Sequence, residues 1–264
     1  MKPTVALRRT VGAFMMLATM TAWSQAVPGP EEGRRILSRV DALVNYDEDD
    51  FSAEYTVVEE RPGQGTQRTV FVLFRRDRLD RYTILIQEPE QDTGKGYLRT
   101  GDTLSLYDPV ARRFAVVTAS DRFQNGNARN SDFTRSTLAQ DYRIVGVSSE
   151  QLGAYSTVVY DLEATTDEVG FPRMRIWIDQ NDLVRKFEDY STSGQHMRTT
   201  AIPRYTQLGD HFVPVSIVIQ DELRGRNIQG EFRNERTVIS VAKPSFQSVP
   251  DIVFTRAFLE RVSD

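Results

Sequence analysis

Cysteine is absent from the 264-residue sequence. That excludes a disulfide framework, a thiol nucleophile and a lipidated cysteine behind a signal sequence. Histidine is scarce: His196 and His211 are the two present, both inside expected strands and without the H-x-H or H-x-x-x-H spacing that a metal site favours. The serines show no G-x-S-x-G elbow. A Ser-His-Asp site assembled from distant residues stays open, as does a paired-carboxylate glycosidase, since no pair among the 37 acidic residues stands out. Gly94-Lys95-Gly96 and Gly126 lack the spacing and Lys-Ser/Thr ending of a phosphate loop. No linker rich in Pro, Gly or Ser divides the chain. The basic-aromatic stretch 173–177 reads as the solvent face of a strand rather than a nucleic-acid surface.

Long apolar runs are also missing, except over residues 11–23. Lys2, Arg8 and Arg9 precede that run, and Ser24-Gln25-Ala26 follows it as a small-x-small cleavage site. The run falls short of the ~20 apolar residues of a spanning helix. Residues 1–26 are therefore expected to be a signal peptide and residues 27–264 one exported domain. Removing Lys2, Arg8 and Arg9 from the 33 basic residues leaves 30 against 37 acidic, a formal charge of about −7. Such a balance favours solubility and argues against nucleic acid or a polybasic grip on membranes.

What is present is mostly strand pattern. Apolar residues at three- and four-residue spacing (Ile36, Leu37, Val40, Leu43, Val44) predict one helix over 30–45. The acidic run Asp47-Glu48-Asp49-Asp50 then reads as a solvated connector rather than a metal site. Beyond it, alternating or doubly apolar strands are expected over 51–57, 70–74, 82–86, 155–162, 174–178, 183–190, 196–205, 212–219 and 231–241. Residues 97–99 and 104–107 flank Gly101-Asp102, a hairpin signal, and 114–118 follows Arg112-Arg113. Ser131 or Asp132 is placed to cap a short helix carrying Phe133 and Leu138, and residues 250–259 read as a C-terminal helix. The whole amounts to about ten or eleven strands in one antiparallel sheet, large enough to curl. Periodicity alone fits an open barrel, a closed barrel or a sandwich.

The order of pieces between residues 94 and 144 is more specific. Gly94, Leu98, Gly101-Asp102, Leu104, Tyr107, Pro109, Arg112-Arg113, Ser131-Asp132-Phe133, Leu138 and Asp141-Tyr142 follow one another in a pattern that resembles the outer-membrane lipoprotein-sorting proteins, the LolA-like family of periplasmic lipid-binding carriers. Ser105 stands where members often have tryptophan. The resemblance implies a mainly β fold, a single large curved antiparallel sheet forming an incomplete barrel with a few helices covering its concave side. It also implies a basic residue on the sheet that helps hold the lid, a position that matches no single arginine in this sequence.

These readings point to binding without a cofactor, metal or covalent chemistry. A curved sheet with inward apolar residues makes a cavity for acyl chains of lipoproteins or other lipids, each buried CH2 contributing ~0.8 kcal/mol. The candidate lining is Tyr55, Val57, Val72, Phe74, Ile84, Ile86, Leu104 and Leu106, with plain core packing as the alternative for each. Phe133, Leu138, Phe254, Phe258 and Leu259 are candidate lid residues. The expected role is a monomeric periplasmic carrier between an inner-membrane transporter and an outer-membrane acceptor. An accessory to an exporter of other hydrophobic molecules, and a hydrolase on a β scaffold, are the alternatives.

Overall fold

The structure, a computed structural model, describes residues 26–263. Apart from Ala26, the expected signal peptide lies outside the described residues. Helix α1 (Pro30–Val44) has proline at its start, where no intrahelical donor is needed, and Glu31 and Glu32 in its first turn against the positive end of the helix dipole. Its buried stripe includes Leu37 and Val40. The helix stops at Asn45, whose side chain exchanges two hydrogen bonds with the backbone of Ser136.

Thirteen strands follow: β1 (Phe51–Arg61), β2 (Gly65–Arg76), β3 (Arg81–Glu88), β4 (Gly96–Thr100), β5 (Thr103–Asp108), β6 (Arg113–Val117), β7 (Tyr142–Leu152), β8 (Tyr155–Ala164), β9 (Arg173–Ile178), β10 (Val184–Tyr190), β11 (His196–Leu208), β12 (His211–Ile228) and β13 (Glu231–Ser245). All belong to one sheet, in the order β6-β5-β4-β3-β2-β1-β13-β12-β11-β10-β9-β8-β7. Every pairing is antiparallel. The sheet is unclosed: β6 and β7 end it and are not bonded to each other. This is the expected incomplete barrel, with more strands than the ten or eleven expected. Strand β7 has no counterpart among the stretches read as strands. It runs along an edge, and Ile144 is the single residue of its length that is fully buried, so its second half, Ser148-Ser149-Glu150-Gln151, carries no apolar period.

The open order decides where the longest connection must go. β6 and β7 are adjacent in sequence yet lie at opposite edges. Flat, the twelve spacings between them would measure ~58 Å. The sheet curls instead, and residues 118–141 cross its concave side. Within that segment the expected single helix is two short pieces. A turn of 3-10 helix at Asn130–Phe133 is closed by Asp132, which accepts from the Arg129 backbone N–H (2.7 Å). The four-residue helix α2 (Leu138–Asp141) follows after a break. Asp41 of α1 accepts hydrogen bonds from Ser136 Oγ and the backbone N–H groups of Leu138 and Ala139, so its carboxylate satisfies the free donors of α2.

The C-terminal segment covers the other face. A 3-10 turn at Asp251–Phe254 leads into α3 (Arg256–Val262), capped by Thr255. Val249, Val253 and Phe254 pack with Phe74 and Phe258, and Leu259 packs with Leu98 and Tyr107. Leu259 lies so close to the backbone that a Cβ on Gly96 would sit 2.4 Å from it. The acidic run also differs in part from expectation. Asp47 and Glu48 are exposed, but Asp50 is buried and holds Arg76 through two 2.8 Å hydrogen bonds. Arg76 also donates to the carbonyl of Val249, so this pair ties the start of β1 and the end of β2 to the C-terminal segment.

Candidate functional site: the concave face and the segment across it

Strand register sorts the sequence-derived candidates by face. Tyr55 stands opposite Phe71, which stands opposite Ile86. One row along, Ala53, Leu73, Ile84, Tyr97 and Leu106 face one another in turn from β1 to β5. Val57 pairs with Ile239 of β13, and Ile239 with Ile217 of β12. These side chains, with Leu104, form one apolar cluster on the concave face. Of the eight proposed lining residues, Tyr55, Val57, Ile84, Ile86, Leu104 and Leu106 are brought together there.

Val72 and Phe74 are not. They alternate with Phe71 and Leu73 and point to the convex side, where Phe74 meets the C-terminal segment. Because β2 is apolar on both faces, its alternation carries no phase. Counting back from the Pro62-Gly63 turn would have supplied one, since Arg61 opposite Gly65 fixes Tyr55 opposite Phe71. Phe71, Leu73 and Tyr97 are the lining residues that the sequence reading missed.

The lid candidates divide in the same way. Phe133 packs over the concave face, 5.3 Å from the Phe71 ring and 6.0 Å from Tyr55. Phe123, from the same crossing segment, lies 5.1 Å from both Phe71 and Tyr97 and 4.7 Å from Phe133. Leu138 is on the concave side too, but packs with Leu37, Val40 and Ile144 over β7 to β10. Phe254, Phe258 and Leu259 cover the convex face, so their apolar spacing reflects an outer cover and not a lid over the concavity.

Next to the aromatic cluster the concave face turns polar. Glu59, two residues beyond Val57, pairs with Thr237, then Ile219, Thr200 and Phe187 along one row. The adjacent row holds Asp221, Arg198 and Asp189. The crossing segment is fastened to these groups. The Asn127 backbone N–H and side chain donate to Glu59 (3.3 and 3.4 Å). Arg122 donates to Asp221 (2.8 Å). Arg198 donates to both oxygens of Asp132 (3.0 and 2.8 Å) and to Asp189 (2.7 Å). Arg129 and Arg198 lie on the Phe171 ring at 4.1 and 4.8 Å. Burial pushes the Glu59 and Asp189 carboxyls above their ordinary range, against the hydrogen bonds that pull them down. Arg198 is thus a basic sheet residue that holds the covering segment, a role no sequence motif marked.

An open cleft of about 520 Å³ lies elsewhere, at the sheet end lined by Asp49, His211 and Phe246. His211 there pairs with Asp49 at 2.9 Å. Among the described residues, no group of three or more His, Cys, Asp or Glu is placed to hold a metal ion, and no helix is long and apolar enough to cross a membrane.

A family model described as "Uncharacterized protein" matches residues 78–261. The chain belongs to that family. No curated protein matches the sequence. Among solved structures, a LolA superfamily protein from Nitrosomonas europaea is similar at a TM-score of 0.71 and 19% identity, over 86% of this chain and 98% of that one. A putative outer membrane lipoprotein-sorting protein domain from Vibrio parahaemolyticus gives 0.76 and 18%, over 88% and 100%. A DUF1329 family protein from Desulfovibrio piger gives 0.75 and 14%, over 87% and 98%. The fold is LolA-like, as the order of residues 94–144 implied.

Proposed function

We propose that the protein is an exported, periplasmic carrier that shields the acyl chains of a lipoprotein or another lipid on its way towards the outer membrane. The observation that carries this reading is the wall of Tyr55, Phe71, Ile84, Ile86 and Tyr97, covered by a loop segment rather than by a second sheet. A side chain of this size contributes ~1.5–3 kcal/mol when buried, so the bare wall would be a strong apolar site. Phe123 and Phe133 occupy it in this closed form. The segment's polar fastenings can be exchanged for water when it lifts, whereas a second sheet packed on the wall would have to part a whole interdigitated apolar interface. The LolA-like fold supports the same assignment. No covalent step is involved. Loading would come from an inner-membrane transporter and release from an outer-membrane acceptor with greater affinity, since a ligand moves an equilibrium only by its differential affinity.

The test is direct. Protein isolated from the periplasm should carry acyl lipid detectable by mass spectrometry, and after delipidation it should bind the neutral fluorophore N-phenyl-1-naphthylamine. Absence of both would rule the carrier out. Shortened or hydrolysed chains after incubation would favour the hydrolase.

A further inference from the structure

The apolar wall accounts for a ligand's chains and leaves its head unspecified. The floor beneath the crossing segment contains three buried carboxylates, Glu59, Asp189 and Asp221, at 6%, 0% and 7% exposure. One buried guanidinium, Arg198, stands among them. At the rim, Arg61 donates to the Asn125 carbonyl and Arg224 pairs with Glu235 at 3.4 Å. What the segment brings to the floor is chiefly donors: the Arg122 guanidinium for Asp221, and the Asn127 amide groups for Glu59. Gly126 passes so close that a Cβ there would sit 2.0 Å from Glu59 Oε1.

The floor also has capacity that the segment leaves unused. Among the described residues, Asp189 Oδ1 and Thr200 Oγ1 are buried without a hydrogen-bond partner. Thr200 is 8% exposed and stands in the same row as Glu59 and Thr237. Asp189 stands directly opposite Arg198. Orphaned buried polar atoms are uncommon and costly in native structures. Here both lie on the face that the segment covers.

Lifting the segment removes Arg122 and the Asn127 donors, and the carboxylates of Glu59 and Asp221 lose their partners from it. A ligand that takes the segment's place must replace those donors, because an unpaired buried charge is far costlier than a paired one. Asp132 leaves as well, so Arg198 keeps only Asp189. Arg61, whose Nε is also buried without a partner, loses the Asn125 carbonyl. Two guanidiniums then face the three carboxylates, which leaves the excess charge negative. Resting on the carrier reading, we infer that the preferred cargo is an amphiphile whose head is cationic and donates hydrogen bonds, as an amine does, and that a carboxylate or other purely anionic head is disfavoured. The chains lie on Tyr55, Phe71 and Ile86, and the head lies over the row from Glu59 to Thr200.

Three amphiphiles with the same twelve-carbon chain separate head from chain. Dodecylammonium, dodecyl maltoside and dodecanoate, each below its micelle concentration, compete against N-phenyl-1-naphthylamine on the delipidated protein. Dodecylammonium should compete at a roughly tenfold lower concentration than dodecanoate, with the maltoside between, a difference of one decade in affinity. In Glu59→Gln/Asp221→Asn, both replacements being isosteric, the gap should shrink to about threefold or less as the charge is removed. Glu59→Gln alone should narrow it part-way and serves if the double variant melts early. Dodecanoate competing as well as the amine, or a gap unchanged in folded variants, overturns the inference and leaves the carrier reading standing. Failure of the fluorophore and all three amphiphiles to bind overturns both.

Discussion

Asp50 shows how much one side chain in an acidic run can differ from its neighbours. Its carboxylate is buried against Arg76, also receives Arg78 at 3.0 Å, and accepts the Val249 backbone N–H at 2.8 Å. The hydrogen bond from Arg76, above all, lowers its pKa to about 2. A depressed carboxyl pKa adds stability that is present above the unfolded-state value and is lost as pH falls through the folded one. The window here runs from about pH 4 down to about pH 2. Asp50→Asn should therefore destabilise the protein by about 2–3 kcal/mol at pH 7. In urea unfolding across a pH series, the wild-type and variant curves should converge as pH 2 is approached. A constant gap across that range would show that the pair contributes through packing and not through charge. Nothing in Asp47-Glu48-Asp49-Asp50 distinguishes its last member, because what distinguishes it is Arg76 and Val249, which are remote in sequence.

Among elements, the segment 118–141 matters most to function, and its hold on the sheet is testable at Gly126. The residue has φ −82°, so alanine meets no backbone strain there, and the nearest obstacle is the Glu59 carboxylate. Gly126→Ala should lift the turn from Glu59 and destabilise the closed form by about 1–3 kcal/mol, the usual cost of overpacking. It should also tighten N-phenyl-1-naphthylamine binding several-fold, since the closed state competes with the ligand. Val110→Ala, at a side chain 89% exposed, should change neither. Weaker binding in Gly126→Ala would mean that the turn supports the site instead of obstructing it. The sequence announced a short helix carrying Phe133 and Leu138, where the structure has two separate short pieces. The segment's path across the concavity follows only from the strand order, which sends β6 and β7 to opposite edges.

At the scale of the molecule, the two halves of the chain run outward from one seam. β1 pairs with β2 on one side and with β13 on the other, from Ser52 opposite Ser245 to Glu60 opposite Arg236. The apolar cluster on the concave face joins residues of β1–β5 to residues of β12 and β13. We propose that residues 27–264 form a single cooperative domain on this account. In protein lacking residues 1–26, Trp177 of β9 is the sole tryptophan, and it reports on the half farthest from the aromatic cluster. Its fluorescence and the far-UV circular dichroism should give superimposable urea transitions, the signature of a two-state unit. An earlier tryptophan transition would mean that β7–β11 unfolds by itself.

Local order and alternation in the sequence were enough for the helix at Pro30–Val44, the hairpin at Gly101-Asp102, the run of antiparallel strands and the LolA-like order of residues 94–144. Each depends on neighbours a few residues apart, and such signals survive in a one-dimensional string. Facing was not so determined. Val72 and Phe74 read as well as Phe71 and Leu73 until the turn at Pro62-Gly63 fixed their register. Phe254, Phe258 and Leu259 read as a lid until the C-terminal segment was found on the convex side. The floor of Glu59, Asp189, Arg198 and Asp221 was out of reach of any motif, because its members come from four strands and meet only through cross-strand pairing. Period two in a strand apolar on both sides has no phase. The side on which a residue lies is decided by which strand pairs with which, and that is a property of the folded sheet alone.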